Sequence, residues 1–199
     1  MLFTHLGSSD IPDRLETGEF VLRPILASDV EGDYDAVMES REYLRPWEQT
    51  GWPADDFTLE ADLADVTMLE ERHAAHHAFT YTMITPDGSE CLGCFYIMPP
   101  DARHYREATI TPVGDARWEE YGAFVSFWVR TSRLPSRLDE RLLAALRDWL
   151  APYHRLGGVL FVTNEQVGQQ VELLQRLGLE LRFRLAKPTH DGAYLAYGF

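Results

Sequence analysis

Residues 125–150 read VSFWVRTSRLPSRLDERLLAALRDWL, and the order of residue types in that stretch decides the fold. Phe124 to Val129 is β-branched and aromatic, which suits a buried strand. Arg130 to Pro135 interrupts the run, and Pro135 fixes φ just before a helix begins. Ser136 can cap that helix, with Asp139 three residues on in an acidic capping-box pattern. Leu138, Leu142, Leu146 and Trp149 then recur every three or four residues, giving the helix one apolar face. A helix N-terminus directly after a strand presents unpaired N–H groups and positive dipole, so it suits an anion. Arg130, Arg133, Arg137 and Arg141 stand at the same place in a chain of formal net charge −14. Such a cluster suggests a phosphate; solvated arginines on an ordinary strand–loop–helix unit are the plainer alternative.

The rest of the composition sets bounds. At 199 residues with 45% hydrophobic content, one domain spanning 1–199 with a full core is expected. No apolar leader opens the chain and no run approaches a membrane span of about 20 apolar residues, so a soluble, cytoplasmic protein without a membrane partner is expected. The acidic balance argues against a nucleic-acid partner, which needs a basic face, and is compatible with a cationic acceptor such as an amine. Cys91 and Cys94 flank Leu92-Gly93 in a strand-like run, where residues three apart point to opposite faces. They read as core cysteines rather than zinc or redox ligands. His73, His76 and His77 share a helix face at i, i+3, i+4. That spacing could hold a metal, but no fourth ligand completes it, and no metal is expected. Imidazoles near a helix C-terminus also favour its last carbonyls.

In chain order, EFVLRP (19–24) starts a short strand. Ser28 or Asp29 caps a helix carrying Val30, Tyr34, Val37 and Met38 on one face. Leu44 to Pro53 reads as a stiff loop holding Trp47 and Trp52, which could wall a pocket or pack beneath the loop. Asp55 or Asp56 opens a second helix with Leu59, Leu63 and Val66 inward. Residues 78–85 and 91–98 form a hairpin around Pro86-Asp87-Gly88. Residues 99–119 are long for a connection. Carrying Tyr105, Arg106, Arg117 and Trp118, they could form a lid over an acceptor site or an excursion that serves assembly, a homodimer being one form. After the central helix come a strand at 159–163, a helix at about 166–177 ended by Gly178, an amphipathic strand at 179–185 and a last strand at 193–199.

This order, βααββ–βαβαββ, and three local stretches resemble the GCN5-related N-acetyltransferases (GNAT), nearest to the RimJ/RimL-like branch. EFVLRP is similar to that family's L-x-L-R-P opening strand. FWVRTSRLPSRLDERLLAALRDWL resembles its strand, pyrophosphate loop and helix. TNEQVGQQVELLQRLGL resembles its later N-x…L-Y-x-x-L-G-F motif. Three departures stand out. The R/Q-x-x-G-x-G/A loop has no glycine between Leu134 and Asp139, Phe124 stands where a glutamate is frequent, and Leu174 where a tyrosine often acts as general acid.

The resemblance implies an α/β fold with a mixed central sheet of about seven strands, helices on both faces, and the family's fourth and fifth strands (here 124–129 and 159–163) splayed apart. Acetyl-CoA would be cosubstrate, its pantetheine lying in the opening as a surrogate strand. Phe127, Trp128, Val129, Arg130, Arg133, Arg137, Leu138 and Asn164 would then contact it. Trp47, Trp52 and Tyr105 would bound the acceptor, a primary amine of a small molecule or a protein N-terminus. Glu120, of the same strand parity as Phe124, is the candidate base. The alternative is a GNAT-fold acyl-CoA-binding or assembly module without catalysis.

Overall fold

The computed structural model describes residues 3–199. Its strands are β1 (Leu15–Glu16), β2 (Val21–Pro24), β3 (Phe79–Ile84), β4 (Cys91–Met98), β5 (Thr109–Pro112), β6 (Tyr121–Val129), β7 (Gly158–Asn164), β8 (Glu180–Ala186) and β9 (Tyr194–Gly198). They form one sheet of nine strands in the order β1-β2-β3-β4-β6-β7-β9-β8-β5. The two strands beyond the expected seven are both edges. β1 lies in the polar leader, and β5 lies in the 99–119 connection, where Thr109–Pro112 pairs with residues 183–186 of β8. Neither is legible locally, because each is too short to show a period, and β5 is in addition held by a partner distant in sequence.

Helices cover both faces. α1 (Val30–Glu48) and α2 (Leu59–Ala74) lie over β3, β4 and β7; a single turn, α3 (Arg103–Arg106), follows later. α4 (Leu138–Leu150) and α5 (Gly168–Arg176) cover the opposite face. β6 supplies both layers by alternation: Ala123, Val125, Phe127 and Val129 join the α4 leucines, while Trp128 packs with α1. Leu142 and Leu146 of α4 are fully buried, as the helical stripe requires.

Four local expectations are corrected. First, α1 runs on to Glu48 through Pro46, so Trp47 stands on a helix rather than in a loop. A proline in a last turn removes one hydrogen bond without ending the helix. Second, α2 is capped by Thr58, whose hydroxyl accepts from the Ala61 N–H at 3.2 Å, and it turns Asp62 and Val66 inward. Leu59 and Leu63 remain 39% and 43% exposed. The stripes 59/63/66 and 62/66/69 both fit a helical period, and only packing against α1 chooses between them. Third, Cys91 and Cys94 share a face. β4 bulges where Met83 pairs with Gly93 and Ile84 with Cys91, and Gly93 takes φ of 144°. The extra residue cancels the alternation, and both thiols approach Asp33 Oδ1, at 3.9 and 3.3 Å. The histidine face is also broken, since α2 ends at Ala74. His73 Nδ1 lies 3.0 Å from the Thr80 carbonyl and His76 Nδ1 3.0 Å from that of Leu6.

Candidate active site

The parallel pairing of β6 with β7 runs from Tyr121–Gly158 to Val125–Phe161 and stops there. Beyond that point β6 is paired only with β4, and β7 only with β9. The two central strands therefore splay from Ser126 and Val162 onward. The end of α1 is fixed across the mouth of this splay. Gln49, in the left-handed conformation, donates its side-chain amide to the Pro46 carbonyl and to Gln166 Oε1, both at 2.7 Å. Its Oε1 accepts from the N–H groups of Asp191 and Gly192, and the Tyr194 hydroxyl donates to the Glu48 carbonyl at 2.7 Å.

Beneath this junction lies a cavity of about 390 Å³. Trp47, Glu48 and Trp52 line it from the α1 end, and Asp65, Leu69 and Arg72 from α2. Tyr96, Ser126 and Thr163 come from the sheet, with Ala102 and Tyr105 from the 99–119 connection and Tyr194 from β9. The three side chains expected at an acceptor, Trp47, Trp52 and Tyr105, thus meet in one place. The side chains of Arg103 and His104, beside Tyr105, lie outside the described residues. The first half of the long connection walls the cavity, and the second half becomes edge strand β5.

The cavity's polar groups are incompletely paired. The indole N–H of Trp47 and the hydroxyl of Ser126 are buried without a hydrogen-bond partner among the described residues, while the Trp52 indole supports the carboxylate of Asp65. Glu48 has its pKa pushed up to about 7, chiefly by burial, with Lys187 pulling the other way. Its position at a helix C-terminus also disfavours negative charge. Burial, followed by the charge of Glu48, raises the hydroxyl pKa of Tyr105 and of Tyr194, so both hold their protons. A carboxyl group that ionises near neutrality beside aromatic walls suits proton exchange with an amine.

On the opposite side of the splay, each of the four arginines meets a carboxylate. After β6 comes a 3₁₀ turn over Thr131–Ser136, and α4 begins at Leu138 with Arg137 at its N-cap, one residue beyond the expected cap. Ser136 does not cap it; its hydroxyl donates to the Arg133 carbonyl at 2.7 Å. The Thr131 N–H donates to Ser40 Oγ at 3.1 Å, and the Ser132 N–H to Glu39 Oε1 at 3.0 Å. In the first turn of α4, the Glu140 N–H is held by Asp139 Oδ1 at 3.0 Å. Arg130 pairs with Glu39 at 2.6 Å and also reaches Glu90; Arg133 pairs with Glu90. Arg137 meets Glu140 at 3.5 Å, and Arg141 meets Glu19 at 2.5 Å. The counter-charges come from within the chain, from elements distant in sequence for Arg130, Arg133 and Arg141 and from the next helical turn for Arg137. Arg137 also adopts φ of 60°, a left-handed conformation for which glycine is the usual residue.

Between the two sides stands Gln170 of α5, only 2% exposed. Its amide donates to the Phe127 carbonyl at 2.8 Å, and its Oε1 accepts from the Thr163 hydroxyl at 2.5 Å. The neighbouring Gln169 donates to Asp139 Oδ2 at 2.5 Å.

The other expected residues take varied places. Phe127 and Val129 bury their side chains toward α4, and Trp128 faces α1 with its indole N–H on Tyr96 Oη at 3.1 Å. Asn164 is fully buried, accepting from the Gln166 N–H at 2.9 Å and facing the Gly192 carbonyl. Glu120 is exposed, ion-paired with Arg117, and stands at the closed end of the splay, where β6 and β7 are still paired. Leu174 and Phe124 are core residues. Asp65 and Glu48 are the carboxyl groups that line the cavity, and burial raises the pKa of both, to about 7 at Glu48. Sequence reading missed Glu48 because it was taken as part of a loop and nothing local marks its burial.

No protein-family model and no curated protein sequence matches the chain. Solved structures do. Mycobacterium smegmatis RimJ in complex with CoA-disulfide superposes with a TM-score of 0.70 at 16% identity, covering 96% of this chain and 88% of that one. RimL, a ribosomal L7/L12 α-N-protein acetyltransferase, in complex with coenzyme A gives 0.67 at 15% identity, covering 92% and 94%. The ribosomal-protein-S5-alanine acetyltransferase from Vibrio fischeri gives 0.65 at 17%, covering 92% and 94%. The fold is that of the GNAT acetyltransferases. Their element order and mixed sheet with helices on both faces are those built above from the residues. Among the described residues, no helix is long and apolar enough to cross a membrane.

Proposed function

We propose that the chain is an acyl-CoA-dependent N-acetyltransferase that holds a primary amine in the 390 Å³ cavity. The observation that carries this is Glu48, a half-buried carboxyl group lining the cavity at the mouth of the splay, with its pKa pushed up to about 7. An amine arrives as an ammonium ion and must lose a proton before it can attack a thioester carbonyl. Glu48 accepts that proton, and Trp47, Trp52, Tyr96, Tyr105 and Tyr194 offer aromatic faces to the cation before it does. Tyr105, which holds its proton, is the source this reading assigns to the leaving thiolate. Acetyl-CoA is the donor, with its arm along the unpaired edge of β6, where Phe127 and Val129 present main-chain groups toward β7. The RimL and RimJ likenesses support a protein N-terminus as acceptor, and a small amine fits the same cavity.

The test is thiol release from acetyl-CoA with peptide and small-amine acceptors, comparing wild type with Glu48→Gln. The reading predicts turnover in wild type and its loss in the variant. A second reading, a GNAT-fold module without catalysis, is favoured by one specific arrangement: the Gln170 bridge across the splay together with the internally paired arginines. Absence of thiol release with every acceptor would favour it.

A further inference from the structure

The splay is not open space. Where the β6–β7 ladder ends, the carboxamide of Gln170 takes over, with its N–H on the Phe127 carbonyl and its oxygen under the Thr163 hydroxyl. One N–H directed to one strand and one C=O directed to the other is the hydrogen-bonding pattern of a peptide group laid between two strands. The side chain is 2% exposed, so no water is needed to satisfy it. Packing alone does not call for an amide here, since leucine would fill an apolar helix face without polar atoms to satisfy. The adjacent Gln169, on Asp139 at 2.5 Å, ties the first turn of α5 to the first turn of α4. The bridge is therefore one part of a laced unit.

We infer that Gln170 is a donor-selecting residue: its carboxamide fills the donor channel and yields only to an arm that brings an amide of its own. The inference rests on the acyl-CoA reading above. An arm carrying an amide can replace the lost bonds one for one, giving an N–H to the Phe127 carbonyl and a C=O to the Thr163 hydroxyl. An arm without one leaves both groups buried and unpaired, and each such loss lowers affinity. The apparent affinity for any donor is reduced by the fraction of molecules in which Gln170 has swung aside. The bridge is thus a tax on entry that amide-bearing arms offset and others do not.

The experiment is isothermal titration of coenzyme A and of pantetheine into wild type, Gln170→Ala and Gln170→Ser, with near-ultraviolet circular dichroism as the check on fold. Gln170→Ala removes the occupant, and both ligands are expected to bind about ten- to a hundredfold tighter. Gln170→Ser is too short to reach either strand yet keeps a polar side chain, so a gain of the same order is expected. Equal affinity of wild type and Gln170→Ala for coenzyme A would overturn the inference and leave the acyl-CoA reading standing. Weaker binding by Gln170→Ala would overturn it as well, making Gln170 a ligand of the donor. If none of the three proteins binds at millimolar coenzyme A, the inference and the acyl-CoA reading fail together. Should Gln170→Ala not fold, Gln170→Ser decides alone, and an unchanged affinity there overturns the inference.

Discussion

The two sides of the splay differ in how their polar groups are used. On the cavity side, Trp47 and Ser126 keep buried hydrogen-bonding groups without partners among the described residues, and Glu48 sits where burial raises its pKa. On the arginine side, every guanidinium named above faces a carboxylate, and the N–H groups of Thr131, Ser132 and Glu140 are all engaged. Unsatisfied buried groups are costly in a folded chain, about 1–3 kcal/mol each. Those of Trp47 and Ser126 face the same cavity, where a ligand can supply the partners. A cluster of charges read from sequence carries no such implication until its counter-charges are located.

The largest expected effect breaks the comparison if it fails. Glu48→Gln should lower kcat/KM by about 10²–10⁴-fold, the range for losing a general base. Wild type should show activity rising with pH through an ionisation near 7, and the variant should lack it. A pH–rate profile identical in both would remove Glu48 from the chemistry and return the cavity side to ordinary packing.

Stability gives the next test. Asp62, buried between α1 and α2 with both oxygens unpartnered, has its pKa pushed up to about 8, by burial first and then by Asp33 and Asp65. The folded state therefore holds a proton that the unfolded chain releases near pH 4. Stability from this group is full below about pH 4 and is lost as pH rises through about 8. Asp62→Asn should gain on the order of 1–3 kcal/mol relative to wild type between pH 5 and pH 9, read from denaturant midpoints. A constant difference across that range would mean the carboxyl group is solvated.

Trp52→Ala sharpens the contrast between acceptor and donor. It should raise the acceptor KM about tenfold, in the range of a cation–π contact and its lost packing. Coenzyme A affinity should not change. A parallel loss of both would place Trp52 in the scaffold shared by the two sides. The smallest effect belongs to the arginine side. Arg137→Gly relieves the left-handed backbone at φ of 60° and gives up only an exposed pair with Glu140, so a gain of about 1 kcal/mol is expected. Thermal unfolding would show it as a rise of about 2–4 °C. A fall would mean that the guanidinium holds the turn.

The sequence by itself determined the central unit. β6, its turn and α4 are written in alternation and in a leucine stripe between residues a few positions apart, so the order of elements and the GNAT resemblance followed. Gly178 was legible as a helix terminator for the same reason, and takes φ of 83°. The aromatic residues expected at an acceptor were legible as unusual types in short segments. What only the tertiary structure decided is who meets whom across the chain. Arg130 finds Glu39, Arg133 finds Glu90 and Arg141 finds Glu19 from elements distant in sequence. Gln170 reaches the main chain of β6, and a bulge turns two cysteines to one face. Glu48 ionises near neutrality because residues from α2, the sheet and the 99–119 connection close around it. Periodicity records what a residue's neighbours in sequence require of it. Charge state, pairing and burial depend on neighbours in space, and those exist only once the sheet has formed.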